Sequence, residues 1–148
     1  MLKGLKQKLA EETDLHVLAR MSLGSPNEED AFIIRNKTGD IIAKIHSLEE
    51  LVEILQDLNP DDIFPNLCRE DKEAEIECDI ALWVHYVLGD VVLSAKIYNL
   101  VLEFKENPEK LKLEVFNLCF NRYLNYQELL AYPGELLLEN DHEGPIDI

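Results

Sequence analysis

The spacing of the apolar residues changes near residue 46, and this change most constrains the fold. From residue 15, after a short predicted amphipathic helix with Leu2, Leu5 and Leu9 on one side, apolar residues alternate with mostly polar ones in the two-residue repeat of a half-buried strand. The alternating residues are Leu15, Val17, Ala19, Met21 and Leu23. After residue 46, apolar residues recur every three or four positions, as on the buried face of a helix. The chain is therefore predicted to be α+β and mostly helical.

Two further β-rich runs, residues 31–35 and 41–45, are separated by a short loop that contains Gly39. A glycine at this point can take the positive φ that a tight hairpin requires. With the strand before them, these runs predict a small antiparallel β-meander over about residues 15–45. So small a sheet must cover one face with helices, and four to five helices are expected to follow it.

Local signals set the helix boundaries. Ser47 with Glu50 three residues later is a capping box, which predicts the start of the first helix. A short helix is expected over 63–67, and the charged residues 69–77 are expected to form a mobile loop or exposed turn. Asn107 followed by Pro108 marks the start of the last helix.

The stretch CDIALWVHYVLGD, residues 78–90, concentrates aromatic residues, a histidine and a cysteine. Its apolar residues nevertheless lie at helical spacing, so Trp83 is expected to face the core. Asp79 is a suitable N-cap, Gly89 suits the left-handed position after a helix, and Asp90 can cap the next helix. Helix formation alone accounts for this stretch, which is predicted to have a structural role and not a catalytic one.

Three segments within residues 43–97 resemble a small domain family of prokaryotes whose function is unknown. They are SLEEL (47–51), DIALWV (79–84) and VLGDVVL (87–93). The resemblance covers about a third of the chain and implies a helical fold that follows a sheet edge. It brings no established activity. The family tends to have a histidine shortly after the first helix, where this chain has Asn66, so any chemical role of that histidine is in doubt here.

The net charge of −16 narrows the classes of partner. Residues 1–46 contain seven acids and seven bases, residues 47–79 contain twelve acids and two bases, and residues 80–148 contain eleven acids and five bases. A field of this sign repels phosphate backbones and anionic lipid surfaces, so neither nucleic acid nor membrane is an expected partner. A basic protein surface is allowed, and a purely solubilising role is the simpler reading.

Neither a metal nor another cofactor is expected. Cys68, Cys78 and Cys119 form no Cys-x-x-Cys pair and are expected to be small buried apolar residues. No phosphate-binding glycine loop, nucleophile elbow or zinc-binding helix motif occurs in the chain. The sequence therefore gives no positive evidence for catalysis.

Two functions of different classes remain open. The first is a non-catalytic module that binds a protein partner, of basic charge or a second copy, as in a homodimer. Its candidate interface is the surplus apolar surface of the last helix, formed by Leu113, Phe116, Phe120 and Tyr123. The second is a small-molecule-binding or catalytic domain with a pocket between sheet and helices, lined by Trp83, His85, Tyr86, Phe64 and Asn66.

The domain organisation and location complete these expectations. Residues 1–133 are predicted to form a single globular domain, and residues 134–148 an acidic tail that can be flexible. The first residues lack the apolar run and cleavage site of a secretory signal, and no apolar run is long enough for a membrane span. The expected location is therefore the cytosol.

Overall fold

The computed structural model describes residues 17–20 and 27–131. Over these residues the chain is a mostly helical α+β domain, as predicted. A short 3₁₀ turn (Glu28–Asp30) leads into the hairpin of β1 (Phe32–Arg35) and β2 (Ile41–Ile45), which α1 (Leu48–Asp57) and α2 (Pro60–Leu67) follow. After them come β3 (Arg69–Glu70), β4 (Ile76–Glu77), α3 (Asp79–Trp83) with its π-helical continuation (Val84–Leu88), α4 (Val91–Phe104) and α5 (Pro108–Ala131).

The predicted hairpin is confirmed. Strands β1 and β2 are antiparallel, with Phe32 opposite Ile45, and the register shifts by a bulge after Ile34. Gly39 has a φ of +89°, in the left-handed region that a glycine adopts without strain. Ile34 and Ile45 are fully buried, so one face of the hairpin packs against the helices.

The strand predicted before this hairpin is wrong where it can be checked. Residues 17–20 are helical, with Ala19 fully buried and Val17 half-exposed, although both were expected to point the same way. The segment Val-Leu-Ala-Arg contains strong helix formers, and its Leu18 broke the polar side of the proposed alternation. The remaining residues of the predicted strand lie outside the described ones, so the described part of the meander has two strands.

The core is built around α5, which packs against α1, α2 and α4. Helices α1 and α4 each have a buried apolar stripe, as their spacing predicted. The fully buried large side chains include Leu48, Leu51, Leu55, Ile63, Leu67, Ile80, Leu88, Leu93, Ile97 and Tyr126. The helices therefore share one core, and the hairpin of β1 and β2 closes it through Ile34 and Ile45.

The caps of α1, α4 and α5 are those that the sequence predicted. The Ser47 hydroxyl accepts a hydrogen bond from the Glu50 amide at 3.2 Å, and the Asp90 carboxylate accepts one from the Leu93 amide at 3.1 Å. Asn107 accepts from the Lys110 amide at 3.2 Å, with Pro108 at the first helical position. Local sequence therefore determines where these three helices begin.

Two expectations near residue 78 are corrected. The N-cap of α3 is Cys78, whose sulfur accepts from the Ala81 amide, and not Asp79. Asp79 instead receives a two-nitrogen contact from the guanidinium of Arg69. That contact joins the segment 69–77 to α3, and the segment forms the hairpin of β3 and β4 where a loop or turn was expected.

None of the helices in the described ranges is long and apolar enough to cross a membrane. The predicted acidic tail, residues 134–148, lies outside those ranges, as do the end of the predicted domain at residue 133 and most of its first 26 residues. The single-domain boundary stays a prediction for these segments.

Candidate interaction surface

The candidate interface residues lie on the outer side of α5. At 100° per residue, Leu113, Phe116, Phe120 and Tyr123 fall within about 80° of one another. Leu113 is 51% exposed and Phe120 is 38% exposed, whereas Phe116 and Tyr123 are half-buried against the core. The rings of Phe116 and Phe120 stack, with centroids 5.6 Å apart and planes 11° from parallel. The structure therefore brings all four residues together.

Leu124, which is 42% exposed, belongs to the same surface because it lies one helical turn after Phe120. It was missed in the sequence, although its position four residues after Phe120 is the signal that could have identified it. We call the surface formed by Leu113, Phe116, Phe120, Tyr123 and Leu124 the α5 face. It is about 16 Å long, from the 11 rises of about 1.5 Å between residues 113 and 124.

The α5 face carries no charge along most of its length. From residue 115 to residue 127 the sole charged residue is Arg122, and its guanidinium is bound to the Asp90 carboxylate. Asn117 and Asn121 lie beside the apolar side chains. In a chain with 30% charged residues, this helical surface is unusual because it combines apolar exposure with few like charges, of which the Glu49 carboxylate beside Tyr123 is one.

The inner side of α5 is held by a buried ionic network. Asp90, which is fully buried, accepts hydrogen bonds from Arg122 Nε at 2.8 Å and Arg122 Nη2 at 2.7 Å, and from the Tyr126 hydroxyl. Burial raises the pKa of Asp90, but the hydrogen bonds from Arg122, Tyr126 and the Leu93 amide outweigh it and lower that pKa overall. Asp90 therefore stays ionised and connects the start of α4 to the C-terminal half of α5.

Tyr123 connects the α5 face to α1. Its hydroxyl donates a hydrogen bond to Glu49 Oε2 at 3.0 Å and accepts one from Gln127 Nε2 at 2.7 Å. Partial burial and the adjacent Glu49 carboxylate raise the pKa of Tyr123, so the phenol stays protonated. These two hydrogen bonds orient the Tyr123 ring at that end of the face.

A groove of about 410 Å³ adjoins the other end of the α5 face. It lies between the end of α1 and the first turns of α5, and is lined by Leu55, Gln56, Pro60, Glu109, Lys112, Leu113 and Phe116. Because Leu113 and Phe116 belong to both, the apolar face and the groove form one continuous surface. A projecting apolar side chain from a partner could enter it.

The candidate pocket residues are not brought together. Trp83 is buried, as predicted for a core residue, and its indole N–H donates to the Asp30 carbonyl at 2.8 Å. Asn66 is buried and pairs with the Arg35 backbone, accepting from its amide at 3.1 Å and donating to its carbonyl at 2.8 Å. Phe64 packs against the core. These three side chains have structural roles.

His85 and Tyr86 instead lie beside a different cleft, of about 280 Å³, between β4, α3 and α4. Its other lining residues, which the sequence did not indicate, are Ile76, Glu77, Cys78, Ala81, Leu82, Ser94, Ala95 and Tyr98. The Ser94 hydroxyl donates to the Ala81 carbonyl at 2.7 Å, and the Tyr98 hydroxyl donates to the Ile76 carbonyl at 2.9 Å. Burial raises the pKa of Cys78 to about 12, so its thiol stays protonated.

These contacts limit the chemistry of the cleft. The hydroxyl protons of Ser94 and Tyr98 are donated to backbone carbonyls, and no His, Asp or Glu contact activates either oxygen in the described part of the chain. Cys78 and Cys119 are buried as predicted, while Cys68 is half-buried. Among residues 17–20 and 27–131, no group of three or more His, Cys, Asp or Glu side chains could hold a metal ion.

Comparisons of the chain with protein-family models, with curated proteins and with solved structures gave no match. The resemblance of residues 43–97 to a prokaryotic family of unknown function therefore stays a prediction.

Proposed function

We propose that this protein is a non-catalytic interaction module of the cytosol that self-associates through the α5 face. The observation that carries the proposal is the uncharged apolar surface of α5 in a chain of net charge −16. Two copies of so acidic a chain repel each other over most of their surfaces. They can approach most closely where like charges are few, and the α5 face meets that condition because α5 has no acidic residue from 115 to 127.

The order of residues along the α5 face suits a twofold dimer. In such a dimer both copies use the same patch, so every contact occurs twice. If one residue of the first copy touches a second residue of the other copy, the reverse contact is also made. With two α5 helices antiparallel and the axis near residue 118, Phe116 would meet Phe120 of the second copy, and Leu113 would meet Leu124. Each pairing joins apolar residues of comparable size, and the stacked phenylalanines would form the centre.

The size of the face indicates a weak dimer. A stable interface buries about 800 Å² per partner, and a single helical stripe about 16 Å long supplies roughly half of that area. We expect dissociation in the micromolar range or weaker. Because the opposing force is like-charge repulsion, association should strengthen as salt is raised, the opposite of an interface held by ion pairs.

Disulfide capture across the twofold axis tests the proposal. Asn117 is exposed beside the face and one residue from the expected axis, so Asn117→Cys should bring two thiols within disulfide range in the dimer. The experiment uses a Cys68→Ser background, in which the native cysteines at 78 and 119 stay buried. Mild oxidation should then give a covalent dimer, read on a non-reducing gel.

The matched control is Asn99→Cys, the same substitution at an exposed position of α4 away from the face. It should remain monomeric under the same oxidation. Equal and slow cross-linking of the two variants would mean that the α5 faces do not meet, and the proposal would fail.

A further inference from the structure

We propose that the cleft between β4, α3 and α4 docks a basic peptide segment of another protein through one apolar anchor side chain. This inference does not depend on self-association, because the cleft and the α5 face are formed by different residues. The cleft has a floor of small residues, Cys78, Ala81, Ser94 and Ala95, and its walls are the larger side chains of Ile76, Leu82, Tyr86 and Tyr98.

The volume favours a side chain over a metabolite. Small-molecule sites enclose about 300–1,000 Å³ and bury most of their ligand. At about 280 Å³ this cleft falls just below that range, and it is open on the side of Tyr86, which is 77% exposed. One bulky apolar side chain resting on the small-residue floor would occupy the inner part of the cleft, and the neighbouring residues of the peptide would cover the rest and lie across the rim.

The rim carries the type of residue that dominates binding energy at interfaces. Tyrosine is enriched among such residues because it contributes a large apolar area with little loss of conformational freedom. The rings of His85 and Tyr86 lie 4.4 Å apart and project from the π-helical continuation of α3. Segments of π-helix occur frequently at functional sites. This one supplies both rings to the lining of the cleft.

The charge beside the cleft identifies the partner as basic. Residues 69–77, the hairpin that supplies Ile76 and Glu77 to the wall, contain five acids and two bases. One of those bases, Arg69, is bound to Glu77 and Asp79. The hairpin is therefore an acidic ridge that attracts lysine or arginine on an incoming segment. A second copy of this acidic chain would be repelled here.

A peptide of about 14 residues, composed of leucine and lysine at helical spacing and labelled with fluorescein, is a suitable probe. Its binding to the full chain is measured by fluorescence anisotropy at about 0.15 M ionic strength. The wild-type protein should bind it with a dissociation constant below about 100 µM, while a peptide in which glutamate replaces every lysine should bind at least about tenfold more weakly. Failure of either expectation overturns the proposal.

Two variants show whether binding occurs in the cleft. Ala95→Trp fills the floor from an exposed position of α4, and Tyr86→Ala removes an exposed wall, so neither should disturb the core. Each should weaken binding of the lysine peptide by about tenfold. The matched control, Val92→Trp, adds the same ring at an exposed α4 position that does not line the cleft, and should leave affinity within about twofold.

If Ala95→Trp and Tyr86→Ala bind the peptide as well as Val92→Trp does, the peptide is held by the acidic surface in general and the proposed site is wrong. If filling the cleft abolishes binding of a small apolar dye but not of the peptide, the cleft is a small-molecule site, and the peptide proposal is again overturned.

Discussion

Replacing Asp90 with alanine should be among the most destabilising single changes in this domain. The carboxylate is fully buried and bonded to Arg122, Tyr126 and the Leu93 amide. Breaking a buried ion pair from one side costs about 3–5 kcal/mol, and losing an N-cap costs about 1 kcal/mol. Because the Arg122 side chain keeps 20% exposure to water, the lower end of the first range applies, and we expect a loss of about 4 kcal/mol.

Chemical and thermal unfolding measure this loss. At about 2–4 °C per kcal/mol for a domain near this size, the Tm of Asp90→Ala should fall by roughly 8–16 °C. The double variant Asp90→Ala with Arg122→Met removes the stranded charge, so it should be more stable than Asp90→Ala alone. If Asp90→Ala lowers the free energy of unfolding by less than about 1 kcal/mol, the account of the network is refuted. It is also refuted if the effects of Asp90→Ala and Arg122→Met on that free energy are strictly additive in the double variant.

The same carboxylate predicts a pH dependence. The hydrogen bonds lower the folded-state pKa of Asp90 below its unfolded value of about 3.9. The contribution of Asp90 to the free energy of unfolding is therefore fully present above the unfolded-state pKa and is lost as the pH falls through the folded-state pKa. The difference in unfolding free energy between wild type and Asp90→Ala should be constant from pH 5 to 7 and should shrink in more acidic solution.

Three smaller predictions concern other positions. Gly89→Ala should cost about 1–2 kcal/mol in urea unfolding, because the residue has a φ of +77°; an unchanged midpoint would contradict this. Trp83→Phe loses the indole hydrogen bond and should cost about 1 kcal/mol or more by the same assay, whereas a gain would contradict the core placement. Hydrogen bonds to the carboxylates of Glu28 and Glu50 raise the pKa of His46. The stabilisation that His46 gives the folded state should therefore be present below about pH 6.5 and lost as the pH rises through the folded-state pKa. His46→Gln should remove that slope from a pH series of unfolding free energies, and a retained slope would assign it to another group.

The elements that the sequence predicted are those set by local chemistry. Ser47, Gly89, Asp90 and Pro108 act on residues within one helical turn, so their effect can be derived without knowing the fold. The stripe on α5 is also local, since its spacing alone places Leu113, Phe116, Phe120 and Tyr123 on one side.

The features that were missed depend on distant residues. Arg122 meets Asp90 across 32 positions, and Asn66 pairs with Arg35 across 31, so no pattern within a short window contains both partners. The cleft at α3 and α4 likewise depends on how the two helices and β4 meet. The strand predicted over residues 15–23 is wrong at residues 17–20, because residues that favour helix can alternate with polar ones by chance.

Self-association through the α5 face is tested most directly by analytical ultracentrifugation. The wild type and Phe120→Glu are compared over a range of protein concentrations and at two salt concentrations. The wild type should show a reversible monomer–dimer equilibrium that strengthens with salt. Phe120→Glu should remain monomeric, and Val92→Glu, which adds the same charge at an exposed position outside the α5 face, should dimerise like wild type. A folded Phe120→Glu variant with the wild-type association constant, or a wild type that is monomeric at millimolar concentration, would contradict self-association through α5.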